Sequence, residues 1–251
     1  MTSTPKVEFI QSLMSNIAEV PSEFDGSVDR QAALSAALIS VFRGKFCDLI
    51  LPNRTPTGFK KHAVIYDVGD TDRTFFFLEN GFVKVGMISP QGSEVIYDVR
   101  KSGDVIGELC ASEPTRSDRA VALEQTKAIS VPFEEIMELL RQKPDLIAML
   151  VDIFCRALKE AYAQVNTLAT HDMVHRLSKV LLGLATKIGR PSGSLVEITT
   201  YLTQEEIAQM VAARRERIST ALNSLRRQGM VHYSARGHLM LDVRALESRY
   251  A

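Results

Sequence analysis

Residues 202–227 constrain the fold of this chain most, because their pattern indicates two short helices joined by a tight break. Thr203 is a good N-cap, and Glu206, three residues later, completes a capping-box pattern. The break falls at Ala212 and Ala213, whose small side chains allow two helices to approach closely. Apolar residues at helical spacing give each helix one side to bury: Ile207, Met210, Val211, Ile218, Leu222 and Leu225. The stretch therefore predicts two helices packed on each other.

The first turn of the second helix is rich in charge, with the residues Arg214, Arg215, Glu216 and Arg217. Three cations there oppose the helix dipole, which favours anions at its N-terminal end. This arrangement does not favour stability. It suits a helix whose first turn docks on phosphates and base edges, as recognition helices do in the major groove. We therefore expect this helix to contact DNA.

The stretch resembles the helix-turn-helix of the cyclic-AMP receptor protein / fumarate-nitrate reduction regulator superfamily of bacterial transcription regulators. In that family an Arg-Glu pair early in the recognition helix reads bases, and Arg215 and Glu216 fall on those positions. A second base-reading arginine of the family is Thr220 here, and Arg217 is a candidate partial substitute. The resemblance implies that the DNA-contacting residues are Thr203, Arg214, Arg215, Glu216, Arg217, Ser219 and Thr220.

The resemblance also implies an α+β fold in four parts. An N-terminal helical segment, 1–46, has no assigned function. A cyclic-nucleotide-binding-type β-roll, 47–143, acts as the sensor. A long dimerisation helix, 144–170, leads to a C-terminal winged helix-turn-helix, 171–251, with its wing about Arg236 and Gly237.

Charge is unevenly distributed, although the whole chain has a net charge of zero. Residues 171–251 contain 12 Lys and Arg against 7 Asp and Glu, so they carry a net +5 and the remainder carries −5. A basic C-terminal part on an acidic body is typical of a DNA-reading domain attached to another domain. An ordinary fluctuation of charge is the alternative, but here the cations lie on the expected recognition helix.

Several classes of protein are disfavoured by what the sequence lacks. Cys47, Cys110 and Cys155 are far apart, so neither a disulfide framework nor an iron–sulfur site is expected. We find no apolar run of about 18 residues and no signal-peptide pattern, so we expect a cytoplasmic protein without a membrane span. We also find no metal-ligand spacing and no catalytic motif, and therefore expect neither a metal nor an enzyme.

Glycines recur between apolar runs from Gly58 to Gly103, at intervals of 11 or 12 residues. Evenly spaced short strands with glycine turns predict an all-β barrel or roll. The sensor domain of the resembling family is such a roll, and the likeness extends from about residue 58 to residue 132.

The segments Gly107-Glu108-Leu109 and Arg116-Ser117 resemble the phosphate-binding cassette of cyclic-nucleotide-binding domains. Amides at the start of a short helix cradle an anion, and an arginine can fork onto phosphate oxygens. Ser117 can donate one more hydrogen bond, and Glu108 can accept one from a ribose hydroxyl. The resemblance implies cyclic AMP or cyclic GMP as the effector.

Two alternatives remain open for this pocket. Glu108 and Arg116 could simply pair with each other at the surface, where an ion pair contributes little stability. In another register Arg119 replaces Arg116, and Ala120 then stands where the serine should be.

The long helix has an apolar repeat close to 3.5 residues, formed by Leu146, Leu150, Ile153, Ala157, Ala161, Gln164 and Leu168. The helix could pack on its own roll, or it could form a two-helix coiled coil between subunits, which the resemblance implies. Its length of about 27 residues exceeds what one roll can cover, at 1.5 Å per residue.

Together these features predict a homodimeric transcription regulator that binds an inverted-repeat operator in double-stranded DNA and contacts RNA polymerase. The alternatives are a regulator of the same fold that needs no effector, or one gated by a cyclic dinucleotide or by a haem or redox signal. Haem would require an axial His or Cys facing the roll, and His62 is the only histidine in that region.

Overall fold

In the computed structural model, the described residues are 48–89, 92–112 and 115–250. The expected N-terminal helical segment, 1–46, lies outside them. The described residues form an antiparallel β-roll, a long helix and a winged helix-turn-helix, which confirms the predicted fold class.

The roll consists of two four-stranded antiparallel sheets in the described residues. Its strands are β1 (Thr57–Phe59), β2 (Val64–Tyr66), β3 (Thr74–Asn80), β4 (Phe82–Ile88), β5 (Glu94–Lys101), β6 (Val105–Ile106), β7 (Arg119–Ala122) and β8 (Thr126–Pro132). The strand orders are β1-β8-β3-β6 and β2-β7-β4-β5. The β3–β4 turn requires a glycine, because Gly81 has φ 91° and a Cβ there would lie 2.4 Å from the Thr126 hydroxyl.

Alternation along β3 gives the roll two apolar cores. Phe75 and Phe77 pack in one cluster with Ile129 and Val131 of β8, whereas Phe76 and Leu78 pack in the other. This follows from the two-residue period of a strand, which sends successive side chains to opposite faces. The first cluster also receives the helix that follows β8.

Helix α1 (Phe133–Gln142) packs on the roll, and helix α2 (Asp145–Thr170) follows Pro144. The N-terminal turn of α2 packs on its own protomer, because Leu146 is buried and Leu150 half-buried against the first roll cluster. Including these two leucines in the stripe expected to face a second helix was therefore wrong. Beyond them nearly all described side chains of α2 are exposed.

The C-terminal domain has the order expected of a winged helix. Its elements are α3 (Met173–Ile188), β9 (Gly189–Ser192), β10 (Leu195–Ile198), α4 (Gln204–Val211), α5 (Arg215–Arg227), β11 (Val231–Tyr233), β12 (Leu239–Leu241) and α6 (Val243–Tyr250). Asp172 caps α3 through the amide of His175, as the residue type favours. Ala212 ends α4 in the left-handed conformation at φ 54°, which turns the chain sharply into α5.

The winged helix packs directly on the outer side of the roll. Val99 of β5 and Leu123 belong to the same apolar cluster as Leu177 and Ile207 of the C-terminal domain. Polar contacts border this cluster: Lys84 lies 3.6 Å from Glu206 and 3.3 Å from Glu94, and Lys187 pairs with Asp98. The roll and the winged helix are thus in physical contact.

Candidate functional site

The first turn of α5 presents its charged residues to solvent. Arg214, Arg215, Glu216 and Arg217 are all exposed. No side-chain hydrogen bond caps this helix at Arg214, and none of the three arginines has an ion-pair partner among the described residues. Cations without partners at the positive end of a helix dipole are electrostatically unfavourable in the free protein. An approaching polyanion would relieve that cost.

Burial on the opposite side of α5 sets this orientation. Ile218, Leu222 and Leu225 are buried in the domain core, and their spacing of four and three fixes which side of the helix faces outward. Ser219 is half-buried and Thr220 is exposed. The structure thus leaves most of the predicted DNA-contacting residues accessible around the N-terminal turns of α5.

Two predicted contacts have their hydroxyl groups engaged within the protein. Thr203 accepts a hydrogen bond from the amide of Glu206 at 3.1 Å, and its own amide donates to the Glu206 carboxylate at 2.9 Å. This is the capping box that the sequence predicts. The Thr220 hydroxyl donates to the carbonyl of Glu216 at 3.0 Å. The exposed arginines are freer to contact a ligand than either hydroxyl.

In the roll, the segment around Gly107 forms a close-fitting turn. Gly107 has φ 87°, and a Cβ there would lie 2.7 Å from the Thr74 carbonyl oxygen and 2.9 Å from an Arg116 nitrogen. A short 3-10 helix, Glu108–Ala111, follows. Only glycine fits both this conformation and this approach. The turn therefore places the start of the short helix directly against Arg116.

Arg116 is fully buried and donates most of its hydrogen bonds within the protein. Its Nε and Nη2 donate to the two carboxylate oxygens of Asp72 at 3.0 and 3.1 Å. Nη2 also donates to the Thr74 carbonyl at 2.7 Å, and the guanidinium stacks 4.0 Å from the centre of the Tyr66 ring. The proposed surface pair of Glu108 with Arg116 is wrong, because each has another partner.

Asp118 lies buried beside this arginine and was not expected from the sequence. The Tyr66 hydroxyl donates to its Oδ2 at 3.0 Å, while Oδ1 has no hydrogen-bond partner among the described residues. Burial raises the pKa of Asp118, and burial likewise raises the pKa of Tyr66. Asp72, in contrast, has a lowered pKa because Arg116 donates hydrogen bonds to it. No local motif signals Asp72 or Tyr66 as partners, since Asp72 lies 44 positions from Arg116 and Tyr66 lies 52 positions from Asp118.

Glu108 belongs to a chain of ion pairs that leads out of the roll. It lies 3.2 Å from Arg100, which lies 3.0 Å from Asp98, which pairs with Lys187 in the last turn of α3. All four side chains are about one-third exposed or less. Glu108 is therefore connected by successive charges to the winged-helix domain.

The remaining candidates lie outside the buried cluster around Arg116. Ser117 and Leu109 are exposed. Arg119 is half-buried in β7 and lies 3.4 Å from Asp67, so it does not take the place of Arg116. His62 is exposed in the turn between β1 and β2, which does not place it as an axial ligand inside the roll.

Two absences among the described residues also bear on function. No cluster of three or more His, Cys, Asp or Glu side chains in these residues could hold a metal ion. Within the same residues, no helix combines the length and apolarity needed to cross a bilayer.

Two family profiles match the chain, and their limits follow the two domains. A cyclic nucleotide-binding domain matches residues 56–143, and a Crp-like helix-turn-helix domain matches residues 175–249. The first match covers the roll together with α1, and the second covers most of the winged helix.

Whole-chain similarities agree with these profiles. The chain is 27% identical to a CRP-like cAMP-activated global transcriptional regulator of Mycobacterium tuberculosis, over 77% of this chain and 87% of that protein. It is 27% identical to a global nitrogen regulator of Synechocystis, over 81% and 91%. A solved CRP-family transcriptional regulator from Thermus thermophilus superposes with a TM-score of 0.65 at 24% identity, covering 77% of this chain and 96% of that one.

Proposed function

The chain belongs to the cyclic-AMP receptor protein / fumarate-nitrate reduction regulator superfamily, and from this premise we propose that it acts as an effector-gated homodimer on an inverted-repeat operator. It is a transcription regulator with a DNA-binding helix-turn-helix domain, and its family is not one of enzymes. The proposal concerns the dimer, the operator and the effector.

One observation carries the homodimer, namely the uncovered apolar stripe of α2. The helix has 26 residues and is roughly 39 Å long at 1.5 Å per residue. After its first turns it contacts little of its own chain, yet it exposes large apolar side chains: Ile147, Val151, Phe154, Leu158, Tyr162, Val165 and Leu168. Such a stripe is unfavourable in water and needs a cover.

The spacing of the stripe identifies a second copy of α2 as that cover. Ile147, Val151, Phe154 and Leu158 are separated by four, three and four residues, and Val165 follows one heptad after Leu158. This alternation is the 3.5-residue repeat that lets two helices supercoil with knobs in holes. Ala161 is exposed between them, where a small residue permits close approach.

Sedimentation velocity of a matched pair of variants tests the dimer. Leu158→Glu places a charge in the stripe and should convert the protein to a monomer, because two buried carboxylates would face each other without partners. Lys159→Glu introduces the same residue on the outer side of the helix and should leave the dimer intact. A monomeric wild-type protein at micromolar concentration would refute the proposal.

The operator follows from the dimer and from α5. In members of this family, the recognition helices of a dimer enter major grooves about 34 Å apart, so the site is an inverted repeat. We assign guanine or phosphate contacts to Arg215 and Arg217, and acceptance from cytosine to Glu216. Bound to the operator in the cytoplasm, the dimer would then contact RNA polymerase.

The effector is proposed to be cyclic AMP or cyclic GMP. Support comes from the tight turn at Gly107 beside a buried guanidinium, and from a relative described as cAMP-activated. The ligand would have to favour one arrangement of the winged helices, because a ligand shifts an equilibrium only by its differential affinity. The charge chain from Glu108 to Lys187 offers a physical route for this preference.

A regulator of the same fold without an effector is the second candidate. It is favoured by a specific observation, which is that Asp72 already satisfies Arg116. Calorimetry of the purified protein with cyclic AMP, cyclic GMP and cyclic dinucleotides separates the two candidates. Heat of binding with a mononucleotide supports the first, and its absence with every ligand supports the second.

A further inference from the structure

The hydrogen-bonding capacity of Arg116 is almost used up within the protein. Two of its nitrogens hold Asp72, Nη2 also donates to Thr74, and Nη1 lies 3.4 Å from the Gly107 carbonyl oxygen. The flat fork of a guanidinium matches a carboxylate and a phosphate equally well. Asp72 therefore occupies the edge of Arg116 that a phosphate would use.

The two partners differ strongly in their access to water. The Arg116 side chain has no exposed surface, whereas that of Asp72 is 47% exposed in the loop between β2 and β3. Carbonyl groups and the Tyr66 ring hold Arg116 in place, so it cannot leave without stranding buried acceptors. Asp72 can move into solvent at far lower cost, because its carboxylate regains hydration there.

We propose that the Asp72 carboxylate occupies the phosphate-binding edge of Arg116, and that a phosphate-bearing effector binds only by displacing it. This inference rests on the cyclic-nucleotide effector proposed above. The exchange replaces one anion by another on the same guanidinium, so the buried charge stays paired throughout. Asp72 thereby sets the effector concentration at which the regulator responds.

The displacement has a thermodynamic signature. When the competent state of a site is only fractionally populated, the apparent affinity falls by that fraction. Removing the carboxylate should restore the full affinity of Arg116 for phosphate. Because charge-assisted hydrogen bonds are among the stronger ones, the expected gain in affinity is about tenfold or more.

Isothermal calorimetry of the full chain with cyclic AMP and with cyclic GMP tests this directly. Asp72→Asn and Asp72→Ala should bind at least one of the two nucleotides about tenfold more tightly than the wild type. Asp67→Asn is the matched control, because it removes the same charge from the neighbouring pair with Arg119. Its affinity should match that of the wild type, and thermal melts should show that all four proteins are folded.

The outcomes separate this inference from the function on which it rests. Binding by the wild type with equal or weaker binding by both Asp72 variants overturns the inference and leaves the effector proposal standing. Absence of binding by all four proteins overturns the effector proposal, and the inference with it. Binding by the Asp72 variants but not by the wild type supports both the effector proposal and the inference, because Asp72 then blocks Arg116 in the wild type.

A second measurement distinguishes displacement from a structural role. In the free wild type, the pKa of Asp72 lies below its usual range because Arg116 donates to it. Saturating nucleotide should return this pKa toward the usual range in a carboxyl-detected NMR titration. An unchanged pKa in the complex would mean that the pair persists, contrary to the inference.

Discussion

The β-roll and the recognition helix both carry arginines suited to anions, but they hold them in opposite ways. Arg116 of the roll is buried, stacked on Tyr66 and paired with Asp72. Arg215 of α5 is exposed and has no ion-pair partner among the described residues. Arg116 therefore has an anionic partner before any ligand binds, whereas Arg215 is left to gain one from a ligand.

This difference follows from the cost of burying a charge. A cation inside the roll must be neutralised by the protein itself, because an unpaired buried charge costs several kcal/mol. A cation on a solvent-exposed helix turn is hydrated and incurs only the modest repulsion of the helix dipole. The roll arginine is thus part of the fold as well as the proposed ligand anchor, whereas the helix arginine adds little to the fold and is available for the proposed DNA contact.

The largest expected effect is on stability, and its absence would contradict the contrast drawn between Arg116 and Arg215. Arg116→Ala should lower the free energy of unfolding by about 3 kcal/mol, because it leaves the Gly107 and Thr74 carbonyls without their donor. Arg215→Ala should change it by less than about 0.5 kcal/mol. Chemical denaturation of both variants measures the contrast, and equal losses would contradict it.

The next largest effect is on DNA affinity, and here Arg215, which contributes little to stability, should matter. Arg215→Ala should weaken binding to the selected operator by about 1–3 kcal/mol and relax its sequence preference. Arg226→Ala, in the last turn of the same helix, is the control, since it should weaken binding to all sequences alike. Fluorescence anisotropy with operator and random duplexes separates these results. Unchanged operator preference in Arg215→Ala would remove α5 from base recognition.

The smallest effect concerns Asp118 and the pH dependence of stability. Burial raises its pKa, so the folded protein retains a proton that the unfolded chain releases. Stability should therefore fall as pH rises from the ordinary aspartate value through the raised folded-state value. Asp118→Asn should remove this slope and be more stable than the wild type at neutral pH.

Tyr66→Phe should have the opposite effect to Asp118→Asn on the pH dependence of stability. The Tyr66 hydroxyl bond lowers the pKa of Asp118, so its loss should raise that pKa further and extend the fall in stability to higher pH. Thermal melts of the three proteins across the acidic to neutral range provide the test. A steeper slope in Asp118→Asn than in the wild type would contradict the assigned burial effect.

The elements themselves could be predicted from sequence because their determinants are local. The capping box at Thr203 depends on a residue three positions away, and the short strands of the roll lie between regularly spaced glycines. The outward side of α5 also followed from the spacing of Ile218 and its apolar neighbours. The expected homodimer, effector and individual DNA contacts remain predictions.

Contacts between distant residues could be decided only by the tertiary structure. Asp72 meets Arg116 across 44 positions, and nothing near either residue marks the pair. The face of α2 was equally undetermined, because one position along a helix turns the side chain by about 100°. Leu146 therefore lies on the roll while Ile147 faces outward. Local sequence determines which helices and strands form, whereas tertiary packing determines which charged residues pair with each other.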